Sequence, residues 1–420
     1  MNKTNLKKIL LILLFIVVIF VIAYFIYTIF FKQKNIPIIP IEPTGQQGTL
    51  PTIGPGDVNT QVGGPGTTIT GQFNDIINEN VVVDKIAKGG FVESNLLISQ
   101  NIELGFFNKT NNGINYYDRN KQAFFTISSD GKVKRLSDNK FISVDNVSWS
   151  SNGNKAIMTY PDRSNVLYDF EKDRQIATLP SDMRDFIFSP VNDQISAKWV
   201  DSNNRTEFNY VTVSDSNGAN MQFVEPIGEK AADVQSVWSP DNEIVATYRE
   251  YYDGERQEIF FINPNNKNLK SLTVDGRGFE VEWSPKGDKI LYNVFSSYSN
   301  FSPTLWLADG YGNELGYGKM PVNLNTWVDK CDFSKSDEQI VYCAVPDYLP
   351  EGSGWYKELA KDIPYSIYKI NILNGRKELI AQPIVNNERV SVGKIYSNKG
   401  DDKIYYTDES SGYLYDINLK

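Results

Sequence analysis

The sequence predicts an all-β fold: a seven-bladed β-propeller of four-stranded antiparallel blades, preceded by one transmembrane helix and a Pro/Gly-rich linker. Three observations predict it. Six segments repeat an aromatic residue, Ser, a turn and a short apolar strand. A second hairpin follows each of them. Aromatic residues make up 13% of the 420 residues, led by 24 Tyr and 23 Phe, and such side chains favour pleated, half-buried surfaces.

The first element is a basic tail, residues 1–8, with Lys3, Lys7 and Lys8. Ile9 to Phe31 follows as an apolar run whose only clearly polar member is Thr28. At about 1.5 Å per residue it reaches across a hydrocarbon core of roughly 30 Å. Tyr24 and Tyr27 lie near its outer end, where amphipathic rings favour the interface. The run exceeds a signal-peptide core, usually about 7–15 residues, and lacks a small-x-small cleavage site. It therefore reads as a retained anchor rather than a cleaved signal. Three lysines and the amino terminus precede the span, and Lys32 and Lys34 follow it. The positive-inside bias sets the amino terminus in the cytoplasm and the body outside it.

Residues 32–72 form the linker, rich in Pro, Gly, Thr and Gln with almost no charge. Such a stretch builds no packed core and reads as a partly extended spacer. Residues 73–420 form the propeller domain.

Its repeats begin at Trp149, Phe188, Trp238, Trp283, Phe333 and Tyr396, spaced 39, 50, 45, 50 and 63 residues apart. Each aromatic ends a strand. Ser follows, then in three copies Pro, which cannot donate to a ladder and forces its neighbour out of the helical region. Asn, Asp and Gly supply the turn. The return strand, of the Lys-Ile-Leu-Tyr type, is expected to alternate. Second hairpins start at Ala123, Val166, Glu207, Glu258, Thr304, Ser366 and Tyr413. Four strands at this period read as a propeller blade, a–b–c–d.

The last copy, Tyr413–Lys420, stops at a strand c. The strand Asn80–Ile86 is expected to supply the missing strand d and so remove a free edge. Blade one, about 91–137, lacks the Trp-Ser-Pro signature, and six blades with a capping hairpin is the rival arrangement.

Trp238-Ser239-Pro240-Asp241-Asn242 and Trp283-Ser284-Pro285-Lys286-Gly287 resemble the WD40-like repeats of the family found in the TolB propeller and in prolyl-oligopeptidase-type peptidases. The resemblance covers roughly residues 90–420 and implies a propeller of bacterial origin. The chain departs from both relatives: it has neither TolB's N-terminal α/β domain nor a hydrolase domain with Gly-x-Ser-x-Gly. Nor does any Trp precede Asp, as in true WD40 repeats.

Histidine is absent altogether. That removes Ser-His-Asp and Cys-His nucleophiles and histidine metal ligands, and no cofactor is indicated. Residues 1–34 carry five lysines and no acid, which leaves the remainder at −14. A surface so acidic speaks against nucleic acid. The chain's two cysteines, Cys331 and Cys343, flank the turn of the sixth blade's first hairpin. With Phe333 near opposite Ile340 they fall across from each other, either disulfide-bonded or as two buried thiols.

With this strand order, the b–c and d–a connections emerge at one mouth of the central channel. Three b–c connections are long and aromatic, and loops of that length are often functional. Their Arg249, Tyr251, Tyr252, Arg256, Tyr298, Phe301, Tyr348, Trp355 and Tyr356 make the candidate binding face. Packing that merely orders the loops is the plainer role for these rings. Strand-a starts add Asp145, Arg184, Asp185, Asp233, Glu280, Asp329 and Lys330 at the channel mouth, as a ligand site or a solvated rim. The expectation is a membrane-anchored scaffold of the cell envelope that binds a protein, a peptide or a glycan. A carboxylate-based glycan hydrolase or lyase, or a purely structural envelope protein, are the alternatives.

Overall fold

The computed structural model describes residues 82–420 apart from 103, 104, 109–112, 192 and 266. The tail, the anchor and the linker lie outside the described residues. Among those described, no helix is long and apolar enough to cross a membrane. Helical structure there is limited to short 3₁₀ turns of three to six residues.

Seven sheets form the domain, each ordered a–b–c–d from the inside outwards. Blades one to seven span residues 106–135, 146–179, 183–226, 234–275, 277–321, 331–385 and 392–418. Blade two, for example, runs Asn146–Trp149, Lys155–Thr159, Asn165–Asp169 and Arg174–Leu179.

The Ser of the repeat has a clear physical role. Ser284 Oγ donates to Asp288 at 2.7 Å and accepts the Lys289 amide at 3.1 Å, closing the a–b turn from within. Ser239 does the same with Asp241 and the Ile244 amide, and Ser150 with Asn152 and the Lys155 amide. These hydroxyls are almost wholly buried, so the pairing is obligatory.

The return strands do not alternate. Ile290–Phe295 of blade five are all buried, as is all of Ile340–Pro346 in blade six. Each blade packs on both faces, so both sets of side chains leave water, and the pattern becomes a continuous apolar run. Hydrophobic clusters fill every junction: blades one–two, two–three, three–four, four–five, five–six, six–seven and seven–one. The seventh junction, with Ile98, Tyr405 and Leu414 against Ile114 and Tyr116, closes the ring and excludes six blades with a cap.

Closure uses a different strand from the expected one. Asn95–Ile98 pairs antiparallel with Leu414–Asn418 and completes blade seven. The segment Asn80–Ile86 adds no strand to blade seven among its described residues: Asp84 makes an isolated bridge to Val92, and Asn418 Nδ2 donates to the Lys85 carbonyl at 3.4 Å. Phe91–Glu93 instead adds a parallel strand to Lys377–Val385 of blade six. Residues 91–98 thus belong to blades six and seven, and blade one begins at Phe106. The closing strand is fixed by Asn95 Nδ2 donating to Asp416 at 2.7 Å and Tyr406 Oη to Ser94 at 2.6 Å.

Candidate binding face and channel mouth

Arg277 opens strand a of blade five and reaches up between two rings. Its guanidinium carbon lies 5.8 Å from the Tyr251 ring and 5.5 Å from the Trp355 ring. Tyr251 belongs to blade four, Arg277 to blade five and Trp355 to blade six, so one cation ties three blades into a ledge. Trp355 also packs edge-on to Phe295 at 4.5 Å and lies 6.4 Å from Phe301. Backbone bonds join the same loops: the Gly352 amide donates to Asn300, and the Gly354 amide to Phe301 at 2.7 Å. Gly354 is required there, because a Cβ would sit 2.4 Å from the Phe295 ring.

Ring packing thus orders the loops, yet much of the aromatic surface stays in water. Tyr252, Tyr356 and Tyr348 are 64%, 65% and 54% exposed, and Tyr298 is 93% exposed. Arg256 is held by Asp253 and stacks on Tyr252 at 4.7 Å. Beneath the blade-six loop, Trp327, Ala360 and Ile363 form a small core of their own.

Arg249 stands where the channel meets the outer loops, lining one cavity together with Gly354 and Trp355. It lies on strand Ala246–Tyr251, and its Nη2 donates to the Ala232 carbonyl at 3.0 Å. It lines two cavities, of about 330 and 390 Å³, with Glu280 on the wall of both. Lys357 Nζ reaches Asp329 at 2.9 Å and Glu280 at 3.4 Å, with the Trp327 ring 5.7 Å away. Burial pushes the Glu280 carboxyl above its ordinary range; Lys357 offsets part of this and Asp329 adds to it. Burial would lower the Lys357 ammonium, but Asp329 and Glu280 outweigh it and hold it above its usual value.

Two further lysines brace the mouth. Lys198 pairs with Asp185 at 2.5 Å and donates to the Val234 carbonyl of the next blade and to the Ala231 carbonyl in the turn leading into it. Lys330 pairs with Glu409 at 2.5 Å and donates to the Val392 carbonyl, again across a blade junction. Asp145, Arg184 and Asp233 make no ion pair with any described residue and stand apart from this network. Lys357, Trp327, Arg277 and Lys198 were not singled out from the sequence. Lys357 closes the aromatic loop 345–357 and was the one legible signal among them.

Cys331 and Cys343 are joined by a disulfide and face each other in the ladder, Cα to Cα 4.0 Å. Phe333 pairs with Val341, one residue beyond the expected Ile340. Among the described residues, no group of three or more His, Cys, Asp or Glu side chains is placed to hold a metal ion.

No protein-family model and no curated protein matches the chain. Solved structures do. An oligogalacturonate lyase in complex with manganese superposes with a TM-score of 0.51 at 11% identity, over 77% of this chain and 91% of that one. The β-propeller domain of Swd1 from Myceliophteria thermophila gives 0.51 at 10% identity, over 78% and 100%. The tricorn protease gives 0.50 at 9%, over 78% of this chain and 34% of that one. The likeness is one of fold. An enzyme, a propeller domain and a protease share the architecture, so function has to be read from the site.

Proposed function

We propose that this chain is a membrane-anchored, extracytoplasmic propeller that binds a protein, peptide or glycan of the bacterial cell envelope on its b–c face. The Trp-Ser-Pro turns favour kinship with TolB-type repeats. One observation carries the reading: the ledge Tyr251–Arg277–Trp355, built from three blades and bordered by the exposed Tyr252, Tyr298 and Tyr356. Aromatic and Arg side chains held rigid at low entropic cost are those that dominate binding interfaces. Ile9 to Phe31 would hold the body at the membrane, and the spacer would set its height.

Two measurements test this. A photo-crosslinker replacing Tyr298 in the full chain should capture a discrete partner, and Trp355→Ala together with Tyr251→Ala should abolish the capture. A phosphatase that folds only outside the cytoplasm, fused after Lys420, should be active. Capture unaffected by the ledge variants, or an inactive fusion, overturns the corresponding half of the reading.

A carboxylate-dependent glycan enzyme is the second reading. It is favoured by Glu280, whose carboxyl is raised and lies with Asp329 around one ammonium beside two cavities. Cleavage of soluble glycans that disappears in Glu280→Gln would establish it and displace the scaffold reading.

A further inference from the structure

A cavity of about 730 Å³ near the b–c face lies outside both the ledge and the channel. It is a groove between blades five and six. Asn300 comes from the blade-five loop, Asn323 and Asn325 from the connection into blade six, and Tyr348, Tyr368 and Gln382 from blade six itself. The size falls within the roughly 300–1,000 Å³ of ligand sites.

We propose that this groove binds a neutral glycan chain; the proposal rests on the reading of the b–c face as the binding face and names its ligand. The chemistry of the lining carries it. The side-chain amides of Asn300, Asn323, Asn325 and Gln382, and the hydroxyls of Tyr348 and Tyr368, make no hydrogen bond to any described residue. An amide offers donors and an acceptor together, which matches a sugar hydroxyl that is itself both. The tyrosine rings offer flat apolar faces for the C–H side of a sugar ring. Asn300 and Asn323 adopt φ 51° and 56°, a backbone conformation that asparagine tolerates well.

Charge argues against other ligands. Asp347 is neutralised by Arg389 at 3.0 Å, which leaves Glu351 as the one unpaired charge among the described lining residues. With no free cation, the groove gives an anionic chain nothing to pair with. A peptide added as a strand needs an open edge, and the edge of Lys377–Val385 at Gln382 is already taken by Phe91–Glu93. Leu324 and Val345 form part of the groove's floor and are almost wholly buried.

The test uses the full chain in a detergent without a sugar headgroup, titrated calorimetrically. The probes are neutral hexamers of β-1,4-linked N-acetylglucosamine, β-1,4-linked glucose and α-1,4-linked glucose, with hexagalacturonate as the charged control. At least one neutral hexamer should bind, and hexagalacturonate should not. Asn300→Ala with Asn325→Ala should weaken binding about tenfold, as expected for two lost neutral hydrogen bonds. Tyr348→Phe with Gln382→Ala should weaken it similarly and covers the case in which the first variant misfolds. No binding by any neutral hexamer, binding unchanged in both variants, or tighter binding of hexagalacturonate overturns the proposal. If the Tyr298 crosslinker still captures a protein partner when the sugars fail, the groove proposal falls and the binding-face reading stands. If both fail, both fall.

Discussion

Lys357 and Asp329 meet at 2.9 Å over the channel mouth, one from the long loop of blade six and the other from the turn that leads into that blade. Glu280 of blade five takes the same ammonium at 3.4 Å. Two carboxylates therefore share one lysine, with Arg249 also favouring the Glu280 charge, and that lysine ties the loop to the channel.

This sharing sets a pH dependence. Glu280 is raised in the folded chain, so its stabilising contribution is full below the ordinary carboxylate range and is lost as pH rises through its folded value. Lys357→Met keeps the stem but removes the charge that offsets this loss. The variant should melt earlier than the wild type by about 1 kcal/mol at pH 7.5, a figure discounted for partial exposure. The gap should shrink at pH 4.5, where the raised Glu280 carboxyl is largely protonated. Equal gaps at the two pH values would show that the pair is a solvated rim.

The repeat made the fold legible, because each Ser, turn and strand is a local device. The closing strand was misplaced for a physical reason. Asn80–Ile86 and Asn95–Ile98 both read as short apolar strands, and only the register against Leu414–Asn418 selects between them. The loop residues that form the ledge were legible as exposed aromatics. The roles of Arg277 and Lys357 were not, although Lys357 was visible as the end of its loop, since what they do depends on neighbours 26 and 28 residues away or more, Tyr251 and Asp329 being the nearest in sequence. Arg249 read as part of the loop because it adjoins Tyr251 and Tyr252; it lies on the strand before that loop and shares a cavity with both Glu280 and Trp355.

The disulfide is expected to be a plain stabiliser. It closes a loop with a sequence separation of 12 and both sulfurs are buried in the junction of blades five and six. Chain-entropy reasoning gives about 2–3 kcal/mol for a loop of this size. Cys331→Ala with Cys343→Ala should lower the unfolding free energy by that amount, and reductant should shift the wild type but not the variant. Thiol labelling of the denatured, unreduced protein should find no free cysteine; labelling at two sites would remove the basis for this expectation.

Ring closure should depend on residues 82–98, where Asn95–Ile98 supplies the closing strand and the Ala87 amide donates to the Asn418 carbonyl. Ile98 is 5% exposed, and Asp416 loses its Asn95 partner if the strand is missing. Chains starting at residue 82 and at residue 99 can be compared by urea unfolding. The first should unfold cooperatively. The second should lose more than about 2 kcal/mol from Ile98 burial alone, and its free blade edge should promote aggregation. Equal midpoints for the two would mean that blade seven holds without its borrowed strand.

Gly354 offers the sharpest test of the ledge, because it separates loop order from ring chemistry. Gly354→Ala leaves every aromatic and Arg277 in the sequence but drives a Cβ to within 2.4 Å of the Phe295 ring. The loop has to move, since Phe295 is buried on strand Lys289–Phe295 and is not free to yield. Overpacking of this kind costs about 1–3 kcal/mol. Hydrogen exchange should rise across residues 345–360, while the junction of blades one and two stays protected. Partner capture at the b–c face should fall along with it, because Trp355 no longer stands over Arg277. Faster exchange with undiminished capture would mean that the partner reads the rings singly and that their joint placement across three blades has no part in recognition.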